Sequence, residues 1–425
     1  MTLIQEWSAE KKTLESKGQK IVYPEQKKTG KWIVRLFKKN NLVTLCAPPQ
    51  WGKTGVSLYV SFTMCKNNID PQKVFFLTGM SDLSWIEQTK ERVLPSWKKN
   101  VYHRNTLHKF EEEIEHLKDR DKDKDILLII DECHIANKSD NTLSEMMNYL
   151  DLNKEDYLIE KNIKILQISA TPSNSLIDAK TWTKHAHFSP RVGSEYVSFK
   201  RMIEDNRVFD KKKLEIKDNC KEYIKDVSKG SPLFHIIRCT CSGPNGKDIY
   251  KKTKFNFSRF CKNKFKVVEL NMSKSQKEIK EIYSSLSERP DVHTFILIKN
   301  MLGASKTLDD KYIGSVYESA PSKKDYSSEI QGLAGRMCGW SKKIGTNGVK
   351  IYCDRYILER YVELYESNFD YEKEDFEWRD GRLKISLLTG KINSSESYLS
   401  IVDIEYTESE EENKQTDTSF PYSEI

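Results

Sequence analysis

Across 425 residues the chain carries 70 Lys and Arg against 63 Asp and Glu, a formal charge of +7, with 37% hydrophobic residues and nine cysteines. That length allows two or three domains with a core each and calls for no disulfide staples; no apolar stretch approaches the ~18 residues of a membrane span, so a soluble protein with no membrane partner is expected. Residues 403–425 hold eight acids and one lysine, which leaves +14 on the remainder, a balance that favours an acidic partner such as nucleic acid over a merely solubilising surface. The N-terminus turns charged within a dozen residues without a signal-peptide pattern, and the cysteines are scattered, so a reducing, intracellular setting is expected.

In chain order, residues 1–20 form an extension ahead of Tyr23-Pro24-Glu25-Gln26. An apolar run at 42–46 then leads into Ala47-Pro48-Pro49-Gln50-Trp51-Gly52-Lys53-Thr54. A loop of this kind at the end of a buried strand suits phosphate. Backbone N–H groups wrap the phosphates, the lysine ammonium reaches the β/γ oxygens and the Thr hydroxyl goes to Mg²⁺. Gly52, Lys53 and Thr54 are thus expected to bind nucleotide, with ATP and Mg²⁺ as cofactors. Ala47 stands where G-x-x-x-x-G-K-[ST] has its first glycine, and Trp51 within the loop reads as a packing residue.

Apolar runs at 74–77, 126–130 and 165–168 continue the pattern with charged or amphipathic segments between them, the rhythm of a parallel βαβ sheet whose strand ends bind ligands. Thr78-Gly79 follows the first of these runs. Asp131-Glu132-Cys133-His134 follows the second, seventy-eight residues beyond Lys53. Adjacent acids at a strand end can divide the work of hydrolysis, Asp131 holding the metal and Glu132 orienting or deprotonating water. Ser169-Ala170-Thr171-Pro172 follows the third run; Ser169 and Thr171 can hydrogen-bond the acidic motif and pass phosphate state onward. The charged run 111–125 reads as a solvated helix end and loop. Asn137-Lys138-Ser139-Asp140 matches the guanine-reading N-K-x-D of GTPases, but it falls six residues after Asp131 instead of on a later strand, which favours coincidence.

After a connecting stretch near Pro190, runs at 233–237, 267–270, 295–298, 315–317 and 349–352 repeat the rhythm and predict a second α/β domain. Cys220, Cys239, Cys241 and Cys261 with His235 lack the paired C-x₂-C spacing of a zinc ribbon, so buried small hydrophobes are the expected reading. The tail around 408–415 has the charge density of disorder.

The ordered set APPQWGKT, DECH, SATP resembles helicase superfamily 2 proteins of the DEAD/DEAH type over about residues 20–355. The resemblance implies two tandem RecA-like domains, each a mostly parallel sheet flanked by helices, with a nucleotide cleft between them. The expected bounds are 1–20 (extension), 21–187 (first domain), 188–365 (second domain) and 366–425 (C-terminal segment with an acidic tail). It further implies that Gln26 reads adenine, that residues 295–309 are motif V and that 331–340 are motif VI. Glu132, His134, Gln331 and Arg336 are then catalytic, Arg336 as the arginine reaching across the cleft. Gln331 stands one residue too far from Gly335 for the common Q-x-x-G-R-x-x-R pattern. Gly339 occupies the second arginine's place; Lys342, Lys343 or Arg355 could substitute, or the site works with a single arginine. The wording of 331–339 is similar to helicases of large DNA viruses and phages.

The implied activity is an ATP-dependent helicase or translocase on single-stranded DNA or RNA, held mainly through its backbone, with Thr78, Gly79, Gly303 and Thr307 as contacts. The alternative is an ATPase switch or remodelling subunit that does not unwind duplexes. A nuclease motor subunit lacks any further acidic cluster of suitable spacing. Residues 366–400, with Trp378, could pack on the second domain or bind a protein partner.

Overall fold

A computed structural model describes residues 2–370 apart from 81–82, 121–124, 134–141, 173–174, 177–178, 240–245, 263, 272–273, 300–307, 320–326, 341, 343–344 and 346–347. The expectations for His134, the N-K-x-D stretch, Cys241, Gly303, Thr307, Lys343 and everything beyond 370 lie outside the described residues.

Strands β1 (Leu42–Cys46), β2 (Val74–Thr78), β3 (Val101–Tyr102), β4 (Ile126–Asp131), β5 (Ile163–Ser169) and β6 (His185–Phe188) form a six-stranded sheet in the order β3-β2-β4-β5-β1-β6, parallel throughout. The short β7 (Tyr196–Val197) follows it. A second all-parallel sheet takes β8 (Val208–Asp210), β9 (Phe234–Cys239), β10 (Lys266–Leu270), β11 (Thr294–Lys299), β12 (Ile313–Glu318) and, past the short β13 (Gly339–Trp340), β14 (Lys350–Cys353). Its order is β10-β11-β9-β12-β14-β8. β7 and β13 pair antiparallel as a ribbon of their own. This is the expected α/β class, two RecA-like domains in tandem.

The sequence builds these sheets by continuous apolar strands: β1 and β2 are buried at every position, as parallel strands covered on both faces must be. One apolar cluster faces inward from both sheets, joining Val43, Leu45 and Trp51 of the first to Ile236, Val316 and Leu333 of the second. Separate clusters cover the two outer faces, one around Phe75, Phe110 and Leu128 and one around Tyr223, Phe257 and Phe295.

Helices α1 (Leu3–Glu15), α2 (Pro24–Leu36), α3 (Lys53–Lys66), α4 (Leu83–Arg92) and α5 (Leu107–Arg120) belong to the first lobe. α5 takes up most of the charged run 111–125. α1 packs on the first lobe: both Glu6 carboxylate oxygens accept from Ser96, and the Trp7 ring stacks on Phe62 at 4.1 Å. β6 runs to Phe188, one residue beyond the expected boundary at 187. The helix Arg355–Glu366 returns to the first lobe, where Tyr361 Oη–H donates to Ala170 O at 3.0 Å. Cys220, Cys239 and Cys261 are buried, and no metal-holding group of His, Cys, Asp and Glu occurs among the described residues. Nor is any described helix long and apolar enough to cross a membrane.

Candidate nucleotide site between the two sheets

A cavity of about 440 Å³ opens between the lobes at the strand ends. Its first-lobe wall starts where β1 ends. The loop 47–52 turns into α3 through Gly52, whose φ of +106° is open to glycine at little cost. A Cβ on Gly52 would also stand 2.1 Å from Gln26 Nε2, so a side chain there would have to displace the Gln26 amide. Lys53 and Thr54 form the first turn of α3, whose backbone N–H groups lack partners within the helix and suit an anion.

Register places Cys46 beside Ser169 and Asp131 beside both Thr78 and Ile168, bringing the expected motifs to neighbouring strand ends. Lys53 Nζ–H donates to Glu132 Oε1 at 3.0 Å. Burial alone would lower the lysine, but the Glu132 and Asp131 carboxylates outweigh it and hold the ammonium charged, above its ordinary value. Asp131 is pushed up by burial and by Glu132, against Lys53 and against Trp85, whose Nε1–H donates to Asp131 Oδ2 at 3.0 Å. Glu132 sits at φ +54°, a left-handed backbone costly for a residue with a side chain.

The second-lobe wall is the short helix Leu333–Arg336 with Gln331 before it. Gln331 Nε2–H donates to Thr171 Oγ1 at 3.0 Å across the cleft, while Thr171 N–H donates to Ser169 Oγ at 2.9 Å. Ser169 and Thr171 thus join the lobes through motif residues of each. Arg336 lines the cavity but is 1% exposed, and its Nη1–H donates to the carbonyls of Gln331 at 3.1 Å and Gly332 at 2.8 Å. Burial and the like charge of Arg238 lower it to about 10, while Glu318 pulls the other way. Glu318 accepts from Leu333 N–H at 3.2 Å and pairs with Arg238 at 3.3 Å, bracing this helix from beneath.

Gln26, Gly52, Lys53, Thr54, Asp131, Glu132, Gln331 and Arg336 all line the one cavity. The Gln26 carbonyl accepts from Tyr23 N–H at 2.9 Å and its amide packs against Gly52 and Gly55. Thr78 and Gly79 are buried, and the Thr78 hydroxyl accepts from Met80 N–H. Lys342 is committed to Leu308 O at 2.8 Å and to Asp310, away from the cavity. Arg355 pairs with Glu359 along its own helix turn and is not among the residues lining the cavity.

Other lining residues carried no sequence signal of their own. Trp85 reaches Asp131 from α4. From the same helix Arg92 Nη1–H donates to Thr54 Oγ1 at 3.4 Å, and Glu10, Leu14, Gln19 and Ile21 close the cavity from the N-terminal side. Only the amphipathic spacing of α1 and α4 hints that these helices face something.

No protein-family model matches the chain, and no curated protein matches it. Among solved structures it is similar to the ATP-dependent Type ISP restriction-modification enzyme LlaBIII bound to DNA. The match has 13% identity and a TM-score of 0.52, covers 82% of this chain and spans only 30% of that one. It is also similar to Dbp5 of S. cerevisiae bound to RNA and ADP BeF3, at 14% identity with a TM-score of 0.44, over 82% of this chain and 92% of that one.

Proposed function

We propose that this chain is an ATP-dependent motor on nucleic acid, a helicase or translocase of the superfamily 2 kind, hydrolysing ATP between its two lobes. One observation carries this reading: a single cavity is lined by Lys53, Thr54, Asp131 and Glu132 from one sheet and by Gln331 and Arg336 from the other. The donor set fits a nucleoside triphosphate with a divalent cation. An ammonium and the first-turn amides of α3 answer the phosphates, while Thr54 and Asp131 offer oxygen ligands to Mg²⁺. Mg²⁺ held there would supply charge neutralisation to the phosphates.

The residues of the chain do the rest. Phosphate oxygens compete with Glu132 for the Lys53 ammonium, and the carboxylate so released accepts the proton of the attacking water as the water oxygen bonds to the γ-phosphorus and ADP departs. Arg336 turns from the Gln331 and Gly332 carbonyls toward the leaving charge, and Gln331, held on Thr171, keeps the lobes in register while it does so. Gln26 remains the candidate for reading adenine. ATP drives motion because it binds the closed arrangement more tightly than the open one.

The +14 body and the likeness to LlaBIII, an enzyme solved on DNA, support a nucleic-acid partner held through its phosphates. The test is phosphate release from Mg·ATP across a panel of single- and double-stranded DNA and RNA. Stimulation by single strands that falls steeply with salt is expected; turnover indifferent to every nucleic acid removes the motor reading. Stimulation without strand displacement in a duplex assay would leave a translocase or the ATPase switch.

A further inference from the structure

The phosphate loop is fastened from the opposite lobe. A loop that turns its N–H groups inward to an anion turns its carbonyls outward, and buried carbonyls need donors. Here the donors come from beyond the cleft. Tyr196 Oη–H donates to Pro49 O, and Trp340 Nε1–H donates to Trp51 O at 2.9 Å. The two donors are register partners in the β7–β13 ribbon, their rings meeting edge-on at 5.5 Å and 67°.

The loop side of this contact is equally committed. Trp51 is 1% exposed and its indole Nε1 has no partner, so ring packing and its carbonyl hold the residue, not its N–H. Gln50 between the two acceptors sits at φ +58°. Gly335 lies against Pro49: a Cβ there would stand 3.2 Å from Pro49 Cβ and 2.0 Å from Ile330 O, so the approach is open only to glycine. Trp340 follows Arg336 by four residues, so the segment that carries the guanidinium is tied directly to the loop that carries Lys53.

We infer that Tyr196 and Trp340 are positioning residues of the nucleotide site. By holding the Pro49 and Trp51 carbonyls they set the conformation of the phosphate loop and its spacing from Arg336. The ligand class is the nucleoside triphosphate of the proposed function, on which this inference rests. Parting the lobes breaks both bonds and loosens the loop; closing them restores a loop ready for phosphate, so closure and nucleotide affinity rise together.

The test uses the full chain with Tyr196→Phe, which keeps the ring and removes only the donor, and Trp340→Phe, which removes the donor together with the five-membered ring. Hydrogen exchange in peptides covering 47–55 is read without nucleotide, alongside affinity for a fluorescent ATP analogue with Mg²⁺, the kcat-against-KM split and melting temperature. The expected result is about fivefold faster exchange confined to 47–55 and about fivefold weaker nucleotide binding in each variant, the worth of one ordinary hydrogen bond. The loss should appear in KM more than in kcat. A merely structural role would lower the melting temperature with no selective change at 47–55. If Trp340→Phe fails to fold, the isosteric Tyr196→Phe carries the test. Unchanged exchange and affinity in Tyr196→Phe overturn the inference. Selectively faster exchange in a protein that binds no ATP analogue would instead sink the proposed function, and the assignment to a nucleotide site with it.

Discussion

The first-lobe wall of the cleft is made of side chains that answer one another, Lys53 with Glu132 and Trp85 with Asp131, whereas on the second-lobe wall Gln331 reaches across to Thr171 and the Arg336 guanidinium donates to carbonyls of its own segment. The difference lies in what each needs from a ligand. The first wall holds unlike charges in contact, and on the proposed function it exchanges partners when phosphate arrives. Arg336 donates to two carbonyls, with Glu318 and Arg238 beneath its helix, and on the proposed function it acts once the phosphates draw it out. Binding should therefore depend chiefly on the first wall and turnover on both.

Substitutions on the two walls can break this contrast. The largest expected effect is on the second-lobe side: Arg336→Ala should cut turnover by roughly 10³-fold or more, as for other arginines that stabilise a transferring phosphoryl group, while weakening nucleotide binding far less. Lys53→Ala should lower turnover by at least about 10²–10³-fold and, unlike Arg336→Ala, should also abolish measurable binding of an ATP analogue. Equal binding losses in the two variants would erase the distinction between the walls.

A smaller effect separates the acids. Glu329, directly before the Gln331 segment, is 2% exposed and is raised by burial to about 7, against the pull of Lys211 at 3.1 Å. A carboxyl raised on folding stabilises the protonated form, so its contribution is full below the unfolded value near 4.5 and is lost as pH climbs through 7. Glu329→Gln should flatten the stability-against-pH curve between those values, by up to about 3 kcal/mol in denaturant melts. A curve of unchanged slope would show that Glu329 does not titrate there. Smallest of all, Trp85→Phe removes the indole donor that holds Asp131 down, so the acid limb of the pH–rate profile should move to higher pH with a loss of about fivefold at the low end. An unmoved limb would mean that the Trp85 bond does not govern the ionisation of Asp131.

How much of this was legible in the sequence follows the same contrast. The strands 42–46 and 126–130 could be placed because parallel strands covered on both faces leave continuous apolar runs, and Lys53, Asp131 and Glu132 because their roles depend on short local patterns at strand ends. The strands β3, β6, β7, β8 and β13 left no such trace, being two to four residues long. The bonds that hold the site together were equally invisible: Trp85 reaches Asp131 across 46 residues, Gln331 reaches Thr171 across 160 and Trp340 reaches Trp51 across 289. Trp51 could be read as a packing residue from its type, but the use of its carbonyl depends on a ribbon from the other lobe.

The most direct measurement is phosphate release from Mg·ATP by the full chain with saturating single-stranded nucleic acid, comparing the wild type with Lys53→Ala and Arg336→Ala at matched melting temperature. The expected result is turnover in the wild type and its loss in both variants, one from each wall. Turnover that survives in either variant would contradict a site shared between the two lobes.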